Sequence, residues 1–202
     1  MPQTFADHVS PARTVESAIV EALGGRSVVL VGMMGAGKSS VGRKLGQRLA
    51  LPFVDADTEI EAAAGMSIPE IFSVRGEADF RAGEARVVAR LLEGGPQVLA
   101  TGGGAFMNSD TRRLIALKAI SVWLRADFDV LMKRIKRRSD RPLLHTADPE
   151  ATLKALIEQR YPVYALSDLT IDSRDVLHDV IVDELIEALL AHFRACQTEP
   201  TP

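Results

Sequence analysis

The residues Ser27-Val28-Val29-Leu30-Val31 run without a break into Gly32-Met33-Met34-Gly35-Ala36-Gly37-Lys38-Ser39. After Ser27 the first stretch is continuously apolar, as expected for a strand of a parallel sheet covered on both faces. The second satisfies G-x-x-x-x-G-K-[ST], and a helical pattern follows it, which is the context a phosphate-binding loop requires. In such a loop the glycines turn backbone N–H groups inward around a phosphate and the helix start adds its positive dipole end. The lysine reaches the β- and γ-phosphates, and the serine hydroxyl can ligate Mg²⁺. A glycine-rich turn that binds nothing is the plainer reading of the loop, and the strand-then-helix context weighs against it. Nucleoside triphosphate binding by Gly35, Ala36, Gly37, Lys38, Ser39 and Ser40 is therefore expected. The only asparagine is Asn108, so the Asn-Lys-x-Asp guanine signature of regulatory GTPases is absent.

Composition narrows the remaining classes. The chain has 202 residues, 47% of them hydrophobic and 25% charged, with a net charge of −3. It can bury a substantial core, and it has no global positive field to hold nucleic acid or an acidic membrane. The longest apolar run, from Val28 to Met34, is far short of the roughly 18 residues of a membrane span. Cys196 stands alone, which fits a reducing compartment and excludes an intrachain disulfide. The first residues carry Asp7 and no apolar h-region, so they do not read as a signal peptide. A cytoplasmic protein without nucleic-acid or membrane partners, and a monomer, is expected.

Along the chain, short β-rich runs alternate with longer helical ones, predicting an α/β fold. A helix capped by Thr14 and stopped by Gly24-Gly25 precedes the first strand. A helix over 38–50 follows the glycine loop, and LPFVDAD reads as the second strand. Helices are expected over 58–64, 67–74 and 78–92, and QVLAT forms the third strand. A helix over 109–118 leads to the fourth strand, ISVWL, and Asp127 caps a helix to about Arg138. The polar stretch RSDRPLLHTADPE is long enough for a lid. A helix over 150–161, a fifth strand LTIDS and a closing helix over 174–194 complete the chain. The expected organisation is a leader with a short helix (1–25), one domain (26–196, lid about 138–149) and a flexible tail (197–202).

Three further groups carry chemistry. Asp55 and Asp57, at i and i+2 on the expected second strand, point the same way over the sheet edge where α/β folds bind ligands. One can serve a magnesium water shell while the other accepts hydrogen bonds from a polyol and takes the proton of an attacking hydroxyl. Capping of the next helix is the plainer use of two such carboxylates. Arg81 and Glu84 share a helix face, so Glu84 can fix the guanidinium as a receptor for a carboxylate or phosphate. Gly102-Gly103-Gly104 after the third strand provides a wall without side chains that a ligand can approach closely. Lys133 to Arg141 contains six basic residues, and Arg141 in the lid could neutralise charge on a γ-phosphate. Arg160 could supply a second cationic contact to an anionic substrate. His145, Cys196, Trp123 and the Met33-Met34 pair read as solvated or packing residues, and no His/Cys cluster has zinc spacing.

Taken together, GMMGAGKSSVGRKL, FVDADTEIE, GMSIPEIFSVRGEADFRAGE, LATGGGA, RPLL and QRYPVY, in this order, resemble the shikimate kinase family of P-loop small-molecule kinases, related to the nucleoside monophosphate kinases. The resemblance implies a three-layer α/β/α fold with a five-stranded parallel sheet and a mobile lid. It also implies transfer of the ATP γ-phosphoryl group to the 3-hydroxyl of shikimate, with Mg²⁺. It places Asp57, Arg81, Gly103 and Arg160 on shikimate, the two arginines gripping its carboxylate. It places Gly35 to Ser40 and Arg141 on ATP, Ser39 on Mg²⁺, Asp55 on the magnesium water shell and Arg134 near adenine. Lys38, Asp57 and Arg141 are the expected catalytic set. The sequence departs from the family where the loop after Ile171-Asp172-Ser173 lacks a common proline, and where Ser40 stands in place of the commoner threonine. A gluconate kinase-like enzyme and a nucleotide-binding module without catalysis are the alternatives that the residues leave open.

Overall fold

The computed structural model describes residues 14–136 and 148–198. The uninterrupted apolar run becomes β1 (Ser27–Val31), every residue of which is buried. Burial on both faces requires a central position, and β1 pairs in parallel with β3 (Val98–Ala100) on one side and β4 (Ala119–Arg125) on the other. With β2 (Phe53–Asp55) beyond β3 and β5 (Leu169–Asp172) beyond β4, the parallel sheet has the order β2-β3-β1-β4-β5. Eight α-helices among the described residues flank it: α1 (Val15–Leu23), α2 (Lys38–Leu49), α3 (Ala56–Ala64), α4 (Ile68–Glu93), α5 (Ser109–Lys118), α6 (Phe128–Lys136), α7 (Pro149–Tyr164) and α8 (His178–Thr198). The arrangement is the expected three-layer α/β/α. None of these helices is long and apolar enough to cross a membrane.

Local chemistry explains the boundaries. Thr14 caps α1, its hydroxyl accepting from Ser17 N at 3.2 Å. The buried face of α1, Ile19 and Leu23, packs against α2 and α8. Arg48 ties the three helices together through Glu16 at 2.9 Å and Asp183 at 2.8 Å. Two glycines on α2 admit β2 closely, since a Cβ on Gly42 would lie 2.6 Å from the Phe53 ring.

Several expected boundaries are corrected. Strand β2 ends at Asp55, and Asp57 sits in the first turn of α3 rather than on the strand. The Asp55 carboxylate accepts from Asp57 N at 3.2 Å, so the helix starts one residue after it, and acidic side chains suit that first turn. The two helices expected over 67–74 and 78–92 are both present within α4, meeting at a kink where Gly76 leaves helical geometry at φ 80°, a conformation open mainly to glycine. Helix α7 continues through Pro162 to Tyr164. The closing helix starts at His178 instead of Arg174, leaving 174–177 as a loop, and it extends through Thr198 into the expected tail. Cys196 is exposed and has no packing role. Most of the expected lid, with Arg137, Arg138, Arg141 and His145, lies outside the described residues.

The core is divided. The main cluster surrounds the sheet, whereas Ile60, Ile71, Phe80 and Val87 form a smaller one between α3 and α4. Phe72 and Phe80 stack within it at 4.5 Å between ring centroids.

Candidate active site

The C-terminal ends of β1, β2 and β3 deliver the phosphate loop, Asp55 and the glycine triplet to one edge, where a cleft of about 500 Å³ opens. Its walls include Gly35, Gly37, Lys38, Ser39, Ser40, Asp55 and Asp57. Gly37, at φ 93°, forms the left-handed N-cap from which α2 departs, so the helix start faces the cleft. Lys38 Nζ donates to the carbonyls of Gly32 at 2.8 Å and Met33 at 2.9 Å, which holds the ammonium at the loop mouth. Ser39 Oγ donates to Asp55 Oδ2 at 2.6 Å. A hydroxyl and a carboxylate side by side are hard oxygen donors of the kind Mg²⁺ prefers. Among the described residues no cluster of three or more His, Cys, Asp or Glu could hold a metal ion. The Ser39–Asp55 pair would fit a magnesium ion as part of its oxygen shell.

The glycine triplet organises the opposite wall. A Cβ on Gly102 would meet Glu84 Oε1 at 2.6 Å and Asp57 Oδ1 at 2.8 Å. One on Gly103 would lie 3.4 Å from Arg160 Nη1, and one on Gly104 would lie 2.2 Å from Arg81 Nη1. Each glycine thus makes room for a different side chain, and the reason is space, because none of the three has a positive φ. Glu84, only 3% exposed, accepts from Arg81 Nη1 at 2.7 Å. Burial pushes the Glu84 carboxyl above its ordinary value, Arg81 opposes this, and the Asp57 charge adds to the push. Arg160 donates to the Gly103 carbonyl at 3.3 Å, and the Tyr164 hydroxyl donates to the same oxygen. Burial raises the Tyr164 phenol to about 12.

Two substitutions test this wall. Gly104→Ala is expected to push the Arg81 guanidinium away from Glu84 and to raise the acceptor KM at least tenfold. The melting temperature should fall as well, because the buried Glu84 carboxyl loses its cation; steady-state kinetics and calorimetry on one preparation check both. Tyr164→Phe removes one hydrogen bond of about 1 kcal/mol. It should lower Tm by about 2–4 °C, as read by differential scanning calorimetry.

At the far end of the cleft stand Arg134, Asp175, Val176 and His178. Arg134 donates to Gly35 O at 3.2 Å, Ser173 Oγ at 2.9 Å and Arg174 O at 2.6 Å. Ser173 Oγ in turn donates to Ala36 O at 2.7 Å, so the β5–α8 loop is stitched to the phosphate loop. Of the expected site residues that are described, all lie along this edge, while Arg141 lies outside the described residues. Met33 is buried, and Met34 is partly buried against the main core while also lining the cleft. Thr101 and Tyr164 fall within the stretches that resemble the family and Ser173 closes the expected fifth strand, yet none of the three is assigned a role by the sequence, and Val176 and His178 carry no motif by which it would single them out.

Compared with known proteins, residues 34–190 match the family described as shikimate kinase. The chain belongs to the shikimate kinase family. Among its relatives, a shikimate kinase of Bradyrhizobium diazoefficiens is 65% identical over 187 residues, covering 93% of this chain and 90% of the relative. One of Rhodopseudomonas palustris is 62% identical, covering 100% of this chain and 98% of the relative. The structure of Acinetobacter baumannii shikimate kinase in complex with shikimate superposes with a TM-score of 0.81 at 34% identity, covering 86% of this chain and 97% of that one. A gluconokinase from Sinorhizobium meliloti, at 19% identity and a TM-score of 0.55, covers 87% of this chain and 98% of that one and shares the fold only. As a shikimate kinase family member the chain is an ATP-dependent kinase.

Proposed function

We propose that this chain transfers the γ-phosphoryl group of ATP to the 3-hydroxyl of shikimate, giving shikimate 3-phosphate and ADP on the way to chorismate and the aromatic amino acids. One arrangement carries the reading. Arg81, Arg160 and Asp57 converge on the glycine triplet beside a phosphate loop, so carboxylate receptors, a proton acceptor and a phosphoryl donor site share one edge. Arg81 and Arg160 would hold the substrate carboxylate, and the backbone of Gly102, Gly103 and Gly104 would floor the ring. Asp57 would accept the proton of the attacking hydroxyl as its oxygen bonds to phosphorus and the bridging β–γ oxygen leaves with its electron pair on ADP.

Gly35, Ala36, Gly37, Ser39 and Ser40 would cradle the phosphates, and Lys38 with Arg141 would stabilise the charge on the transferred group. Mg²⁺, bound directly by Ser39 and through water by Asp55, would neutralise the phosphates as a Lewis acid. Arg134 would lie against the adenine. Action as a monomer in the cytoplasm is part of the same reading, and the lone cysteine fits that setting.

The test is ADP release from purified protein with Mg²⁺-ATP, alone, with shikimate and with gluconate. Strong stimulation by shikimate only is expected. Stimulation by gluconate instead would transfer the reading to a sugar-acid kinase.

A further inference from the structure

We propose that the cavity between α3 and α4, outside the cleft, is a second ligand site, one that takes a small monocarboxylate with an apolar ring. The cavity measures about 290 Å³, near the low end of the roughly 300–1,000 Å³ of small-molecule sites, and shares no lining residue with the cleft. Its floor is the small core cluster: Ile60, Ile71, Phe80 and Val87 all line it. The space exists because the two helices present only Ala63, Ala64 and Gly83 where larger side chains would close it. A Cβ on Gly83 would meet nothing within 4 Å except Arg86 Nη2, at 3.9 Å. Covering this floor takes hydrocarbon out of water, which favours an apolar ring as the body of the ligand.

The rim sets the charge of the ligand. Three arginines, Arg75, Arg86 and Arg90, stand there with a single carboxylate, Asp79. Arg75 lies 3.9 Å from Asp79, and Arg90 donates to Glu59 at 3.0 Å. Arg86 makes no hydrogen bond or ion pair among the described residues. One uncommitted guanidinium above an apolar floor calls for one anionic group, and its planar fork matches a carboxylate. A phosphate dianion would leave charge unmatched. Among the described residues no Ser, Thr, Asn or Gln lines the cavity. It therefore lacks the partners that a polyhydroxylated acid needs, and it selects a different ligand from the cleft.

Calorimetric titration with trans-cinnamate tests the site, with shikimate held saturating so that the probe's carboxylate does not settle on Arg81 and Arg160. Saturable one-to-one binding with a Kd of about 1 mM or tighter is expected, the scale for so small a ligand. Cinnamamide, which lacks the charge, should bind at least about tenfold more weakly, and Arg86→Ala should weaken cinnamate by about the same factor, the loss of a charge-assisted hydrogen bond. Gly83→Leu, which fills the cavity, should abolish binding, and both variants should keep the shikimate KM within about threefold of the wild type, the factor of one weak contact. Arg86 is exposed, so its variant folds and decides by itself if the larger side chain at Gly83 disturbs the helix. Cinnamate that shikimate displaces, equal affinity in wild type and Arg86→Ala, or no binding up to about 10 mM overturns the proposal. A protein that ignores shikimate would instead bring down the proposed function, and the same variants titrated without shikimate would still decide this site.

Discussion

Replacing Asp57 by asparagine is expected to lower kcat by about 100- to 10,000-fold, the range for loss of a general base. The amide keeps the size of the side chain and one acceptor oxygen but cannot take the hydroxyl proton, so KM for ATP and for shikimate should stay within a few-fold. Folding is not at stake. Asp57 is exposed in the first turn of α3, and the Asp55 carboxylate caps its backbone N–H whichever side chain position 57 carries. The lost interaction with the helix dipole costs only about 0.3–1 kcal/mol. Initial rates of ADP release over a grid of both substrates decide it, and a kcat within threefold of wild type would remove Asp57 from proton transfer.

Arg81→Ala should act on binding instead. A bidentate guanidinium–carboxylate pair makes two charge-assisted hydrogen bonds of about 1.5–3 kcal/mol each. Their loss corresponds to a shikimate KM raised by about 100- to 10,000-fold, with the ATP KM nearly unchanged. The variant also strips Glu84 of its cation at a site where burial already disfavours the charged carboxyl. A drop in Tm is therefore expected alongside the kinetic effect. The double variant Arg81→Ala/Glu84→Gln separates the two consequences: it should regain stability while the shikimate KM stays high. Arg81→Lys keeps the charge but not the planar fork and should recover little. A shikimate KM that Arg81→Ala leaves unchanged would take this arginine out of the acceptor site.

The apolar run before the glycine loop made β1 and its central position readable, because a strand buried on both faces accommodates four consecutive apolar residues, Val28 to Val31, before a turn. The triplet at 102–104 could be recognised as a wall, yet the neighbour of each glycine is set by α4 and α7, elements distant in the chain. Pairing Gly104 with Arg81 and Gly103 with Arg160 needed the tertiary structure. Asp55 and Asp57 were found at the right edge through the wrong geometry: strand periodicity was extended two residues past the point where a capping carboxylate had already begun a helix. At α4 the break in the pattern marks a real interruption, since Gly76 leaves helical geometry between the two helical stretches. The stitched end of the cleft was harder still. Ser173 is given no contact by the sequence and His178 belongs to no motif, and they reach the phosphate loop only because β5 lies at the sheet edge beyond β4 and feeds a loop that returns toward Ala36.

Division of the core has a consequence for the energetics of substrate binding. Arg81 follows Phe80 directly, its guanidinium lies 5.0 Å from that ring, and Phe80 belongs to the small cluster with Ile60, Ile71 and Val87 and not to the cluster around the sheet. The acceptor grip is thus anchored in a subunit of the fold that can open at less than the full cost of unfolding. Acceptor affinity then contains the local opening equilibrium of the α3–α4 pair, and shikimate should slow amide exchange there more than in the sheet. An Ile71→Val change, remote from every reacting atom, would register first as weaker substrate binding and only later as a loss of the native state.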